Sequence, residues 1–435
     1  MEPEALARQV IAKLRGAGHQ AYLVGGCVRD LLLGVKPKDF DVATDARPDR
    51  IMDLFPRSGR VGAHFGVVLV RDVFDQVEVA TFRSDHDYLD GRHPEQVRFE
   101  CDPREDVLRR DFTINGLMMD PDDRRVLDFV EGQKDLQYGI IRAIGDPYAR
   151  FREDHLRLMR AIRFAARFGF TIEPATMDAI RRDHSLILKV SVERVRDELS
   201  RILTEGGARR GFVLLDESGL LGDILPEITA MKGVQQPPEY HPEGDVWTHT
   251  LMLLEQLKNP SITLALGALL HDVGKPPTFR IAERIRFDGH VEEGERMAET
   301  ILNRLRYSRA EIDQVVALIA NHMKFKDVQH MKESTLKRFL RMPEFGEHLE
   351  LHRMDVMASN RRLENYELAK RKLEEFSEEV LKPEPLITGE DLIAAGYTPG
   401  PEFSKMLHAV EDAQLEGRIT TADEAMELVR EMWPG

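Results

Sequence analysis

At 435 residues, with 42% hydrophobic and 31% charged side chains, the chain is too long for one ordinary core and has the balance of a soluble protein of several domains. A net charge of −15 argues against a protein that coats nucleic acid indiscriminately, although a local basic groove remains compatible with it. No run approaches the roughly 18 apolar residues of a membrane span, and the N-terminal MEPEALARQV is charged and amphipathic, so a cytoplasmic protein with no membrane partner is expected. Cys27 and Cys101 are too few for a disulfide framework or a thiolate metal site.

The first 130 residues combine an amphipathic helix, Pro3 to Arg15, with the short β-rich runs AYLVGG, DFDVAT, FGVVLVRDV, QVEVATF and RVLDFV. Turn residues separate these runs, which predicts a small mixed sheet. From about residue 150 the apolar period becomes 3.6 and stays there to the end. FREDHLRLMRAIRFAARFGF places Leu158, Ile162 and Ala165 at helical spacing, with Gly169 as a C-cap. VQQPPEYHPEGD, residues 234 to 245, is proline-rich and polar and reads as a linker; LKPEPLITGED marks a second break before a helical tail. The fold class is α+β, a small N-terminal mixed sheet followed by all-helical regions. The expected segments are 1–135, 136–233, 234–383 and 384–435.

In DFDVATD, strand alternation puts Asp39 and Asp41 on one face and Phe40 and Val42 on the other. Two carboxylates held that close repel unless a cation lies between them, and a hard ion such as Mg2+ relieves the repulsion while keeping waters for substrate phosphates. Glu78 in QVEVATF is a third acid, flanked by Val77 and Val79. Taken alone, the acid pair also fits the solvated face of an edge strand. The preceding GGCVRD changes the balance: Gly25 and Gly26 let backbone N–H groups approach an anion, VRDLLLG reads as a helix beginning there, and Arg29 offers a charge-assisted contact. A glycine turn, a helix and an acid-bearing strand in that order favour a nucleoside triphosphate site.

GGCVRDLLLG followed by KDFDVATD resembles the class II nucleotidyltransferases of the polymerase β superfamily, which comprise bacterial tRNA CCA-adding enzymes and poly(A) polymerases. The resemblance implies a nucleotidyltransferase head with Asp39, Asp41 and Glu78 as catalytic acids, followed by an all-helical neck and body. LRRDFTINGL matches a second family motif, which implies that Arg109, Arg110 and Asp111 contact the triphosphate and the ribose 2′-hydroxyl while Asn115 supports the loop. Gly116 departs from the alanine common in the family. REDHLRLMR resembles the family's base-reading motif. Asp154 and Arg157, three apart on one expected helix, form either a simple ion pair or an edge that accepts from the amine of cytosine or adenine and donates to a ring acceptor. The second reading admits CTP and ATP and refuses UTP and GTP. Arg160, Arg163 and Arg167, extended by Arg150 and Arg152, form either a solvated basic face or the seat of a tRNA acceptor end. SVERVRDEL resembles a motif that braces the neck helices. GRVGAHFGVVLVR lacks the Arg-Arg-Phe stretch of Gram-negative poly(A) polymerases, which brings the CCA-adding branch closer. The full-length segment SDHDYLDGRHPEQVRFECDPREDVL speaks against an enzyme that adds only CC, but does not separate full CCA addition from A-only addition.

DVWTHTLMLL, LGALLHDVGKP, DGHVEEGERM, IANHMKF and LHRMDVMASN all carry helical patterns. HDVGKP resembles the HD phosphohydrolase signature, which implies an all-α HD domain with His249, His271, Asp272 and Asp355 as metal ligands. His290 and His322 are then available for a second metal or for substrate phosphate. Imidazole with carboxylate suits a transition ion such as Mn2+ or Ni2+, and the implied reaction is hydrolysis of 2′,3′-cyclic phosphates or phosphomonoesters. Two alternatives make the chain primarily an HD phosphatase with an RNA-binding head, or a noncatalytic RNA-binding protein. The joint presence of Asp39, Asp41, Arg109, Arg110, Asp111, Asp154 and Arg157 favours nucleotidyl transfer.

Overall fold

Valine-rich runs that alternate in polarity become strands because a β-branched side chain suits a pleated, half-buried surface. They are β1 (Ala21–Val24), β2 (Asp41–Thr44), β3 (Ser58–Arg60), β4 (Val67–Arg71), β5 (Gln76–Thr81), β6 (Arg83–Tyr88), β7 (Pro94–Phe99), β8 (Leu117–Met119) and β9 (Val126–Asp128). The structure, a computed structural model, describes residues 3–60, 66–72, 75–88 and 94–434. Residues 61–65 and 89–93, within the stretches that bear on the choice of branch, lie outside the described residues. All five strand-like runs of the sequence are strands.

Seven strands form one sheet in the order β3-β4-β5-β2-β1-β8-β9, and β6 pairs with β7 in a separate hairpin. Every pairing in the large sheet is antiparallel except β2 with β5, whose parallel register sets Asp41 beside Glu78. Helix Pro3–Gly16 buries Leu6, Val10, Ile11 and Leu14, and Val24, Ala43, Phe82, Val107 and Met118 form an apolar cluster in the head. β2 begins at Asp41, so Asp39 stands just ahead of the strand rather than within it.

Two compact units part between Thr229 and Ala230, with the short turn Leu257–Asn259 grouped in the first. In the first unit the expected long helix from residue 151 is two helices, Pro147–Glu153 and Arg157–Phe168. Asp154 between them is extended, with φ −140° and ψ 106°. Gly169 ends the second helix in the left-handed conformation, as its position predicted.

The second unit is helical apart from a short hairpin, Arg280–Ile281 with Ile285–Arg286. The stretch 234–245 is no free linker but part of this unit. Gln235 bridges Asp245, Gln236 is buried, and Asp245 accepts from Gly233 N at 2.6 Å and Thr248 N at 2.8 Å. The tail helices, Gly389–Ala394, Pro401–Leu415 and Ala422–Met432, share an apolar cluster that includes Leu392, Val410 and Val429. Arg338 ties helix Glu333–Leu340 to the tail through Glu411 at 2.7 Å. Among the described residues no helix is long and apolar enough to cross a membrane.

Two candidate metal centres

Phe40 and Val42 are buried, Asp41 is half-buried and Asp39, outside the strand that was expected to carry both acids, is exposed. Asp41 pairs in register with Glu78 on the parallel neighbour. Burial first, then the Glu78 charge, pushes the Asp41 carboxyl up to about 6; Arg110 opposes the shift and Asp39 adds to it. The three acids thus repel one another when metal-free. A divalent cation that takes oxygen ligands removes that repulsion, so the donor set fits magnesium.

The glycine turn faces an arginine. Gly25 has φ 74°, and a Cβ there would lie 3.0 Å from Arg110 Nη1, so a side chain would press on the guanidinium. Asp106, fully buried, positions both Arg109 and Arg110: its Oδ1 accepts from Arg109 at 2.6 and 2.9 Å, its Oδ2 from Arg110 at 2.9 and 3.3 Å. Burial alone would raise the Asp106 carboxyl, but the two guanidinium charges outweigh it and hold the group low. Asp106 went unread in the sequence, although its spacing of three and four residues from the arginines is that of helical neighbours.

Arg29, expected to meet phosphate, is instead turned inward. Its guanidinium is buried, donates to Asp30 Oδ1 at 2.6 Å and Asn115 Oδ1 at 2.6 Å, and lies 4.7 Å from the Phe168 ring centroid. Asn115 in turn donates to Asp111 Oδ1 at 3.0 Å, and Arg160 donates twice to Asp111 Oδ2, at 2.6 and 2.9 Å. The resulting chain, Asp30–Arg29–Asn115–Asp111–Arg160, leaves the second motif rigid. Burial of Asp111 is outweighed by Arg160 and Asn115, which hold its carboxyl well below the usual range.

Asp154 and Arg157 do not form an ion pair along one helix, because the helix breaks between them. Asp154 accepts from Arg194 Nη2 at 3.0 and 3.1 Å. Arg157 donates to Glu153 Oε2 at 2.8 Å and to the Arg109 carbonyl at 3.0 Å, linking REDHLRLMR to the segment that carries Arg109 and Arg110. Arg194 lies in SVERVRDEL, so this bracing segment also fixes Asp154. The expected basic stripe is likewise neutralised: Arg160 pairs with Asp111, buried Arg163 with Glu198 at 2.6 Å, and Arg167 with Glu205 at 3.3 Å. Arg163 braces helix Arg157–Phe168 on helix Val192–Thr204 and does not present a surface to RNA.

The second centre gathers residues from five helical elements. His249 is on Val246–Gln256, His271 and Asp272 close Ile262–Leu270, His290 opens His290–Arg304, His322 follows Arg309–Asn321, and Asp355 lies in Phe345–Ala358. Two groups of ligand atoms lie within 4.8 Å of one another: His249, His271 and Asp355, and Asp272, His290 and His322. The Nδ1 atoms of His271, His290 and His322 donate to the carbonyls of Ala268 (3.1 Å), Phe287 (2.9 Å) and Ile319 (2.6 Å). That bond sets the tautomer and leaves each Nε2 as an electron-pair donor aimed into the cage.

Nε2 of His249 lies 3.0 Å from Asp355 Oδ1 and Nε2 of His271 3.1 Å from Asp272 Oδ2, whereas the Nε2 atoms of His290 and His322 are buried with no hydrogen-bond partner. Such atoms cost about 1–3 kcal/mol each, and their convergence fits a transition metal. Burial pushes His322 down to about 4, whereas Asp355 and Glu243 outweigh burial at His249 and raise it to about 9. Asp272 is held well below the carboxylate range, with His271 and Lys275 outweighing burial. Gly274 lets the elements close up: a Cβ there would lie 2.1 Å from the His290 carbonyl oxygen.

Sequence reasoning missed Glu243 and Lys275. Glu243 accepts from His249 Nδ1 at 2.7 Å and His241 Nδ1 at 2.8 Å, while Lys275 Nζ meets Asp272 Oδ2 at 2.7 Å. The His-Glu-His arrangement sits in the segment whose composition resembled a linker, which concealed it. Above the cage is a cleft of about 920 Å³, lined by Asp272, His290, His322 and Asp355 together with Tyr240 and Arg286.

Three family models match successive parts of the chain. Residues 21–142 match the Poly A polymerase head domain, 169–232 the probable RNA- and SrmB-binding site of polymerase A, and 244–375 the HD domain. The three matches, in this order along the chain, are similar to the domain order of the class II tRNA nucleotidyltransferases that carry an HD domain. It is similar to the CCA-adding enzyme of Levilactobacillus brevis, 45% identical over 49% of this chain and 54% of that protein. It is also similar to that of Bacillus subtilis, 42% identical over 50% and 55%. The chain thus spans about half the length of these curated relatives. The Bacillus stearothermophilus CCA-adding enzyme, solved in complex with CTP, superposes with a TM-score of 0.76 at 26% identity, over 99% of each chain. The Thermotoga maritima CCA-adding enzyme, solved with tRNA_CCA, shares the fold with a TM-score of 0.62 at 20% identity, over 99% of this chain and 96% of that one.

Proposed function

We propose that the chain adds CCA, from CTP and ATP, to the 3′ end of tRNA in the cytoplasm without a template. The observation that carries this reading is the parallel register of Asp41 with Glu78 beside Arg110, an acid cluster facing an arginine over a glycine turn. The relatives support it by their activity, and the solved neighbours by their complexes with CTP, ATP and tRNA. The proposed segments are the head 1–135, the body 136–233, the HD domain 234–383 and the tail 384–435.

In this reading Asp39 and Asp41 hold Mg2+, which when bound supplies charge to the transferring phosphoryl group and activates the primer hydroxyl. Arg109 and Arg110, fixed in place by Asp106, grip the triphosphate without reorganising during the reaction. Glu78 completes the acid cluster, Gly25 and Gly26 leave room for phosphate, and Asp111 meets the ribose. Asp154 and Arg157 read the base edge, with Arg194 and Glu153 holding them in position.

The HD cage we assign to a transition metal such as Mn2+ or Ni2+ and to phosphoester hydrolysis, a reading favoured by the convergence of four imidazoles and two carboxylates, with Nε2 of His290 and His322 buried and unpartnered. Incubation with tRNA lacking its last three nucleotides, Mg2+ and labelled CTP or ATP tests the main proposal. Ordered incorporation of both is expected; ATP-only addition to tRNA ending in CC would indicate an A-adder, and no incorporation of either overturns the reading.

A further inference from the structure

The carboxylate of Asp111 has no lone pair left for a substrate. Its Oδ1 accepts from Phe112 N at 2.8 Å and Asn115 Nδ2 at 3.0 Å, and its Oδ2 from Arg160 Nε at 2.9 Å and Nη2 at 2.6 Å. A carboxylate offers about four lone-pair positions, and these donors fill them. Both donors on Oδ1 are fixed: one is backbone, and the other belongs to an amide whose oxygen accepts from Arg29 Nη1 at 2.6 Å. Oδ2 is held by a single guanidinium.

Arg160 is the partner that still has donors to offer. Its Nη1 carries no hydrogen bond among the described residues, while the Asp111 carboxylate and the Phe164 ring, its centroid 5.3 Å away, hold the guanidinium in place. The Arg160 side chain is 30% exposed against 8% for Asp111, so a ligand entering from solvent meets the guanidinium before the carboxylate. Arg160 lies one turn beyond Arg157 on helix Arg157–Phe168, and Asp111 directly follows Arg109 and Arg110. The pair therefore joins the proposed base-reading side to the proposed triphosphate grip. Between a base and a triphosphate lies the sugar.

We propose that Arg160 selects ribonucleotides over deoxyribonucleotides, its Nη1 donating to the 2′-hydroxyl oxygen of the incoming nucleotide. Asp111 then meets the ribose through Arg160, as the acceptor that aims the guanidinium. This rests on the nucleotidyl-transfer reading of the head. Because Asp111 keeps all its donors when a nucleotide enters or leaves, no buried anion is stripped of hydrogen bonds in the exchange. A hydroxyl that instead displaced Arg160 from Oδ2 would replace a charge-assisted bond with a weaker neutral one.

The test measures kcat/KM of the full chain for CTP and 2′-deoxy-CTP on tRNA lacking its CCA end, and for ATP and 2′-deoxy-ATP on tRNA ending in CC. Wild type is expected to prefer both ribonucleotides. Arg160→Met is expected to lower both ribo-to-deoxy ratios at least tenfold, alike for C and A because the sugar is common to them. Arg160→Lys keeps a cation beside Asp111, which protects folding if the first variant loses it, and is expected to lower both ratios by a smaller factor. Unchanged ratios, with any loss shared by ribo- and deoxynucleotide or confined to the KM for tRNA, overturn the inference and leave nucleotidyl transfer intact. A ratio that rises also overturns it, because the vacated Asp111 oxygen would then be taking the hydroxyl itself. No incorporation of any nucleotide by wild type removes the reading on which the inference rests, and the inference with it.

Discussion

The head and the HD domain solve the problem of gathering metal ligands in opposite ways. In the head, adjacent strands do it: Asp41 and Glu78 are neighbours because β2 and β5 pair in parallel, and Asp39 is two residues away. The result is partly exposed and carries surplus negative charge, which raises Asp41 to about 6. In the HD domain, four helical elements deliver imidazoles whose orientation is set from behind by backbone carbonyls and Glu243, and a fifth delivers Asp355. There the metal-free signature includes stranded electron pairs on Nε2 of His290 and His322, beside His249 and His271 nitrogens that lean on carboxylates. The comparison teaches that crowded charge suits a hydrated, exchangeable hard ion, whereas stranded lone pairs in a buried cage suit an ion that stays.

A large expected effect concerns the support behind the head's cations. Asp106→Ala leaves two partly buried guanidiniums without their shared acceptor, which costs about 3–5 kcal/mol in comparable buried pairs. We expect kcat/KM for CTP addition to fall by two orders of magnitude or more, with a smaller loss for Asp106→Glu. An unchanged value would show that Arg109 and Arg110 need no positioning.

Asp41→Asn sharpens the contrast because it should abolish addition yet stabilise the metal-free protein. Folding raises the Asp41 pKa from 3.8 to about 6, so the folded state binds the proton more tightly than the unfolded chain. That contribution is fully present below pH 3.8 and is lost as pH rises through about 6, leaving an ionised group that opposes folding by up to about 3 kcal/mol. Thermal melts with chelator at pH 7.5 should place the variant above wild type, a difference that shrinks toward pH 4.

In the cage, Glu243→Gln should weaken Mn2+ binding about 10- to 100-fold, the usual effect of removing a carboxylate behind a histidine ligand. Titration calorimetry measures this directly. The smallest effect is in the proton balance: His249, raised to about 9 when metal-free, must lose its proton to bind an ion. Mn2+ binding at pH 7.5 should release about one proton, read from heats in buffers of different ionisation enthalpy. Release that persists unchanged in Asp272→Ala would contradict the cage assignment.

Much of this was legible in the sequence because it is local. The five apolar runs are all strands, and Asp41 alternates with buried Val42 as a strand requires, although Asp39 stands ahead of it. The break at Asp154 was not legible, since FREDHLRLMR contains neither glycine nor proline and keeps its helical period. Arg194 reaches Asp154 across 40 residues, a pairing that no periodicity encodes. Arg29 and Arg163 looked like surface cations because composition cannot tell a solvated arginine from one buried against Asp30 or Glu198. Glu243 was hidden by proline and glycine neighbours whose turn chemistry serves a ligand-bearing loop as readily as a linker.

The most direct test of the central claim assays nucleotide addition to tRNA and phosphodiester hydrolysis side by side in wild type, Asp41→Ala and Asp272→Ala. Two separate centres predict that Asp41→Ala loses addition and keeps hydrolysis, while Asp272→Ala does the reverse. Loss of both activities in either folded variant would contradict the account.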